Sequence, residues 1–497
     1  MSTDTFKKTK RRFHMERGKR TGAVIVFLVA FAMLSIGAQG AKSTTDRNVN
    51  FWVKESLRED PRIDASEVNI ATHSGIVTLT GVVRTLAAKK YARLESEKIQ
   101  GVRGVINEII VSPKLRSDTD IYQDILRRFL NSAELQPSGA WVKVVDGNVT
   151  LSGQVDSWAK RKQAELLATE VRGVKAVINE VQVQYKTKRS DDEIKKDVIS
   201  TIGRDVYLSG LPIHVSVEDG TVTLEGSLGN AYQKDRASDD AMFVVNVTDV
   251  KNDCEVRPWE NENVRKRIPV PSDEQIEKAV RNELTQDLRV SDPFGLSVDA
   301  IEGNVTLRGV VPSYYQKRLA AEDARDVVGV GWVANLLTVR SDWREDSAIQ
   351  DDIQFEMDVD PVTSGQGITI RVKDGIVTLS GDVNTFYEKL HAAEVASRVL
   401  GVRDVVNTIE VNRVFAFSDN ALRQAIKRRL ASNAETLWVV DRIKVEVENG
   451  RAILKGSVDT WSEYREAARV AFLTEGIRGL DNRMSVAGVK RHWEEWK

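Results

Sequence analysis

Five histidines (His14, His73, His214, His391, His492) and one cysteine, Cys254, are the side chains readiest to ligate a metal or attack a substrate. No two histidines stand at ligand spacing, so they point to no metal centre. A lone cysteine forms no intrachain disulfide and makes neither a zinc ribbon nor a paired-thiol redox site. A recurring Gly-x5-Gly phrase is one residue too long for a phosphate loop and lacks the following Lys-Ser/Thr. No Gly-x-Ser-x-Gly, His-Glu-x-x-His or Ser-x-x-Lys set stands in a suitable context. The carboxylates occupy variable positions and mark no acid/base pair. The expectation is a protein without catalytic residues, metal, cofactor or small-molecule substrate.

Charge beside apolar side chains is what remains. One segment holds Arg423, Lys427, Arg428 and Arg429 beside Leu422, Ile426 and Leu430; another holds Arg127 and Arg128 beside Ile125 and Leu126. Interleaved on a helix, such residues can dock on anionic headgroups, each charge contributing ~1 kcal/mol near the surface. The competing reading turns the apolar residues toward a core and leaves the cations in water. Net charge is −1, from 72 basic and 73 acidic side chains, without the basic excess of a nucleic-acid binder. An apolar fraction of 41% is enough to fold, and 497 residues call for several domains.

The N-terminus carries an address. Residues 1–20 are a basic, cytoplasmic n-region with net charge +6, and residues 21–41 carry no charge. As a helix, that uncharged run would rise about 31 Å, the hydrocarbon thickness of a bilayer. The positive flank holds its end in the cytoplasm, which places everything after residue 41 across the membrane, in a bacterium the periplasm. The small residues Ala38-Gln39-Gly40 also suit signal-peptidase cleavage, so signal peptide and transmembrane anchor both stand.

The elements that position these residues follow from repetition. The phrase opens and closes with turn glycines six residues apart, in six copies: Gly75 and Gly81, Gly147 and Gly153, Gly220 and Gly226, Gly303 and Gly309, Gly375 and Gly381, Gly450 and Gly456. Twenty-six residues beyond each second glycine stands an asparagine: Asn107, Asn179, Asn252, Asn335, Asn407, Asn482. Val77 and Leu79 alternate with Thr78 and Thr80, the period of a half-buried strand. Ala92 and Ser96, with their counterparts in every copy, make a small-residue helical stripe that lies close on a sheet. Cys254 falls where other copies place Ile109, Val181, Leu337, Ile409 and Met484, which makes it a core residue.

Each copy therefore reads helix–strand–strand–helix–strand. The fold class is α+β: six tandem two-layer modules, each a three-stranded mixed sheet covered on one face by two helices, after one N-terminal apolar helix. The modules span 46–111, 117–183, 190–256, 272–339, 342–411 and 418–486. A proline-containing linker covers 257–271, and residues 487–497 form a tail with Trp493 and Trp496. At about 70 residues each core is marginal alone, so neighbouring units are expected to pack together.

The Gly-x-Val-x-Leu-x-Gly hairpin, the small-residue helix and the Gly-Val-x-x-Val-x-Asn strand resemble the bacterial osmotically-inducible-and-nodulation (BON) domain from Asp46 to Val486. The sixth copy departs at Ala452 and Ile453, and the third replaces the helix-ending glycine with Asn246. The resemblance implies non-catalytic work in the bacterial envelope: attachment to phospholipid, integrity under osmotic stress, and in some members chaperoning. The partners expected are membrane phospholipids or envelope proteins. The competing function is a periplasmic chaperone or assembly scaffold with multivalent weak protein-binding sites.

Overall fold

Six helices open with an aspartate, five of them behind a Ser or Thr N-cap. The computed structural model describes residues 45–132, 135, 139–185, 188–257, 271–287, 289–290, 295–412 and 417–487. The expectations for residues 1–41, for most of the 257–271 linker and for Trp493 and Trp496 lie outside them. Within the described residues twelve helices alternate between two roles. First helices are α1 (Asp46–Arg58), α3 (Asp118–Asn131), α5 (Asp191–Arg204), α7 (Asp273–Gln286), α9 (Asp346–Val359) and α11 (Asp419–Ser432). Second helices are α2 (Leu86–Glu97), α4 (Trp158–Thr169), α6 (Ala231–Phe243), α8 (Tyr314–Asp326), α10 (Phe386–Ser397) and α12 (Trp461–Phe472).

The opening aspartate reaches across the module. Asp46 accepts from the backbone N–H of Ser74 at 2.8 Å and of Gly75 at 2.9 Å. Asp118, Asp191, Asp273, Asp346 and Asp419 grip their own hairpin turns in the same way. Both central turn residues have positive φ (Ser74 51°, Gly75 77°), which the tightest hairpin turn demands.

In module 1 the turn joins β1 (Val68–His73) to β2 (Ile76–Val83), paired antiparallel from His73↔Ile76 to Val68↔Gly81. A third strand pairs parallel with β2 in two pieces, β3 (Gly104–Asn107) and β4 (Ile110–Val111). The expected three-stranded sheet thus has an interrupted edge in modules 1, 2, 3 and 5, and a continuous one in modules 4 and 6. At the interruption Asn107 donates to the α2 carbonyl of Lys89 at 2.7 Å and accepts from Ile109 N–H at 3.3 Å. Asn179, Asn252, Asn335 and Asn407 make the same pair of bonds, and Asn482 accepts from Met484 N–H. This is why the asparagine keeps its distance from the glycine: it pins the edge strand to the second helix.

One expectation needs correction. Gly81, Gly153, Gly226, Gly309, Gly381 and Gly456 are not turn residues but lie inside the central strand, with φ between 110° and 146°. A Cβ on Gly81 would sit 1.9 Å from the carbonyl oxygen of Glu67. The glycine marks a bulge: Val82 N–H bonds back to Glu67 O after Gly81 has paired with Val68. Gly75, Gly147, Gly220, Gly303, Gly375 and Gly450 do occupy the turns.

The cores lie between sheet and helices. Val77, Leu79, Val53, Leu57 and Ala92 are fully buried, as is the alanine equivalent to Ala92 in every module. Cys254 is 1% exposed in its module's core, and burial pushes its thiol up to about 11.

Residues 43–497 form one compact unit, within which the modules close on one another. Modules 1 and 6 meet where Gln100 N–H bonds Ser432 O at 2.9 Å, and reciprocally where Glu475 N–H bonds Glu59 O at 2.9 Å. Modules 2 and 5 meet through Leu400 N–H to Asn131 O and Arg172 N–H to Val359 O. Modules 3 and 4 meet through Val206 N–H to Asp326 O and Val328 N–H to Arg204 O. Around each half, second helices touch in a cycle. Lys90 pairs with Glu165, Lys162 with Asp239 and Arg93 with Asp235, closing modules 1, 2 and 3. Arg318 bonds Ser397, Phe386 packs on Phe472 and Arg465 pairs with Asp326, closing modules 4, 5 and 6. Two rings of three, joined pairwise, give one polypeptide the pattern of contacts expected of a dihedral hexamer.

Candidate membrane-binding surface

The structure separates the six cations singled out in the sequence. Arg128 and Arg429 are 1% and 4% exposed, so neither reaches a headgroup. Part of the covering surface belongs to another module. Arg128 of α3 bonds Glu356 of α9 at 2.7 Å, the Leu167 carbonyl at 3.0 Å and Glu170 at 3.3 Å. Arg429 of α11 donates to the Leu473 carbonyl and to Thr474 and faces Glu95 of α2 at 3.6 Å. Arg127 is half-exposed, but it pairs with Asp352 and lies 3.9 Å over the Phe355 ring. Outward residues around it on α9 include Asp351 and Asp358, so this helix pair has no basic face.

Arg423, Lys427 and Arg428 stay exposed on α11. Their setting was not legible in the sequence, because α11 packs not only on α12 of its own module but also beside α1, more than 350 residues away. The solvent side of α1 carries Arg47, Phe51, Lys54 and Arg58, spaced four, three and four apart on one helical face. Phe51 is 56% exposed. Glu59 stitches the seam, 2.6 Å from Arg428 and 3.8 Å from Arg58. Arg47, Lys54, Arg423 and Lys427 have no carboxylate partner among the described residues, and Arg423 only leans on the Asn420 amide. Two helices in contact, α1 and α11, thus each carry exposed cations without a carboxylate partner, and α1 adds an exposed aromatic ring. By sequence, α1 begins five residues after the apolar run ends.

Behind that face the charges neutralise one another. Arg62 and Arg469 both bind Glu95, and Arg469 also binds Glu466, which takes the Lys98 ammonium at 3.1 Å. Burial disfavours the Glu95 carboxylate, but Arg469 and Arg62 outweigh it and hold its pKa well below the carboxylate range. Burial, helped by Arg469, brings Lys98 down to about 8. With its head 4.0 Å over the Tyr232 ring and the residue 4% exposed, Lys98 offers solvent no amine. His391, opposed by burial but 2.9 Å from Asp360, is raised to about 10. The Arg469–Glu95 and Lys98–Glu466 pairs clamp module 6 to module 1, whereas His391 and Asp360 tie α10 to the end of α9 inside module 5. Among the described residues no three His, Cys, Asp or Glu side chains group to hold a metal ion, and no helix is long and apolar enough to cross a membrane.

A sequence model of the BON domain matches residues 45–113, 117–185, 190–258, 272–341, 345–413 and 418–488. The osmotically-inducible protein Y of Escherichia coli strain K12 is 28% identical over 146 residues, covering 28% of this chain and 73% of that protein. The outer membrane lipoprotein DolP of Haemophilus influenzae is 29% identical over 163 residues, covering 30% of this chain and 84% of that one. Among solved structures, the C-terminal domain of CdsD, a structural protein of the Chlamydia trachomatis type III secretion system, aligns at 16% identity with a TM-score of 0.12. It covers 45% of this chain and 100% of that one.

Proposed function

The chain belongs to the BON domain family, and from that premise we propose that it is a non-catalytic protein of the bacterial envelope that docks on anionic phospholipid surfaces and supports envelope integrity under osmotic stress. One observation carries the lipid reading: the cationic, Phe51-bearing face that α1 and α11 build together. Its α1 half starts five residues after the uncharged run of residues 21–41, which suits a body held against the membrane from which it is tethered or released. The names of the two curated relatives, one osmotically inducible and one an outer membrane lipoprotein, agree with an envelope location. A scaffold with six equivalent client sites is less favoured, because closure of the two rings covers the second helices.

Vesicle sedimentation tests the reading. Residues 43–497 should pellet with phosphatidylglycerol-containing vesicles, not with pure phosphatidylcholine, and high salt should release them. Lys54→Glu with Lys427→Glu should weaken pelleting at least about tenfold, since each cation near the surface contributes ~1 kcal/mol. Arg127→Ala should leave it unchanged. Equal pelleting of the charge-reversed protein would overturn the proposal.

A further inference from the structure

A cavity of about 740 Å³ opens where modules 1, 2 and 5 meet. Its wall comes from the start of α2, the 1–2 connection, the loop after α4, and Pro361 and Ser364 of module 5. None of its fourteen lining residues is acidic, and four are basic. Arg116 is committed, paired with Asp124 at 2.6 Å and bonded to the Arg172 carbonyl. Arg84, Lys114 and Arg172 are exposed and form no ion pair among the described residues. Leu86, Pro113, Leu115 and Val174 supply an apolar flank, and Leu115 is 92% exposed, a large penalty for a leucine with nothing against it.

The equivalent junction between modules 4 and 5 shows that this is no property of the fold. There Tyr314 replaces Leu86; its N–H donates to Val402 O at 3.3 Å, and its phenol bonds Asp404. The three cations are absent as well: Pro312 stands for Arg84, Asp342 for Lys114 and Leu400 for Arg172. Arg344 repeats the structural role of Arg116, bonding Leu400 O and pairing with Asp352. The scaffold is thus kept in both junctions, while the charge and the opening belong to one.

We propose that this cavity binds an alkyl phosphate, the anion on Arg84, Lys114 and Arg172 and the alkyl arm against Leu86, Pro113 and Leu115. Three cations lining one cavity suit a phosphate group, which accepts several charge-assisted bonds at once. An apolar wall beside them suits an amphiphile better than a free ion. A membrane headgroup and a soluble phosphorylated amphiphile share this chemistry.

Calorimetry on residues 43–497, the compact unit holding all six cores, tests the site with octyl phosphate below its micelle concentration. The expected result is saturable one-site binding, with inorganic phosphate weaker and octyl glucoside silent. Lys114→Asp with Arg172→Leu, the residues of the sister junction, should weaken octyl phosphate at least about tenfold while leaving the melting temperature unchanged. Leu86→Tyr should reduce octyl phosphate toward the affinity of inorganic phosphate without altering the latter. Lys54→Glu with Lys427→Glu should leave octyl phosphate binding intact, which separates this site from vesicle docking. Displacement by phosphatidic acid vesicles would assign the site to a headgroup; retention in their presence would assign it to a soluble amphiphile. Absence of binding, equal binding of octyl glucoside, or indifference to both sets of cavity variants would overturn the proposal.

Discussion

A guanidinium shut away from water depends on the carboxylates that face it, and Arg128 has two, Glu356 from module 5 and Glu170 from its own. Removing it leaves both acids buried with less compensation. Arg128→Leu should destabilise the protein by about 3–5 kcal/mol, and adding Glu356→Leu should recover most of that loss. Urea unfolding of the two variants beside the parent checks the prediction. A residue of this kind is hard to read from sequence. Helical periodicity marks the residues that can face the module's own sheet, and Ile125 and Ile426, both 0% exposed, follow that core-facing reading. It is blind to a second cover arriving from another module. A usable signal lies in comparing the copies. Ten residues after the opening aspartate the chain reads Ser56, Arg128, Thr201, Glu283, Glu356 and Arg429, and the opposite charges of copies two and five fall in modules that pair.

Within an element, the two glycines of each hairpin do different work and predict different costs. Gly81→Ala must move Glu67 O away from a Cβ 1.9 Å distant at φ 110°. The loss should be on the order of 3 kcal/mol, read as a lower thermal midpoint. Gly203 offers the opposite case: it sits near the end of α5, and an added methyl there would have nothing within 4 Å. Gly203→Ala should raise stability by roughly 0.5–1 kcal/mol through the unfolded chain. Strand alternation, the helix stripe and the asparagine register were legible because each is fixed by contacts inside about 70 residues. The bulge was not, since a positive φ inside a strand leaves the same glycine letter as a turn. The aspartate clamp was hidden for a related reason: an N-cap pair such as Ser190-Asp191 already explains itself locally.

At the scale of the molecule, the two rings are joined by three module pairs, each with backbone bonds across it. The connection through residues 258–270 is then not needed to hold the halves together. A protease site placed in it should yield two fragments that co-elute on size exclusion as one particle of the uncut mass, and separate only in denaturant. Fragments eluting apart would contradict the closed arrangement. The covalent chain has another effect, visible at Arg128 and Glu356. In a homomer, the residue nearest a two-fold axis meets its own twin, so like must tolerate like. Joining the copies end to end lifts that demand. Opposite charges can meet at equivalent places, and one junction can acquire three cations while its sister acquires a tyrosine plug. With six copies on one chain, each position can differ alone, and self-complementarity places no constraint on any one of them.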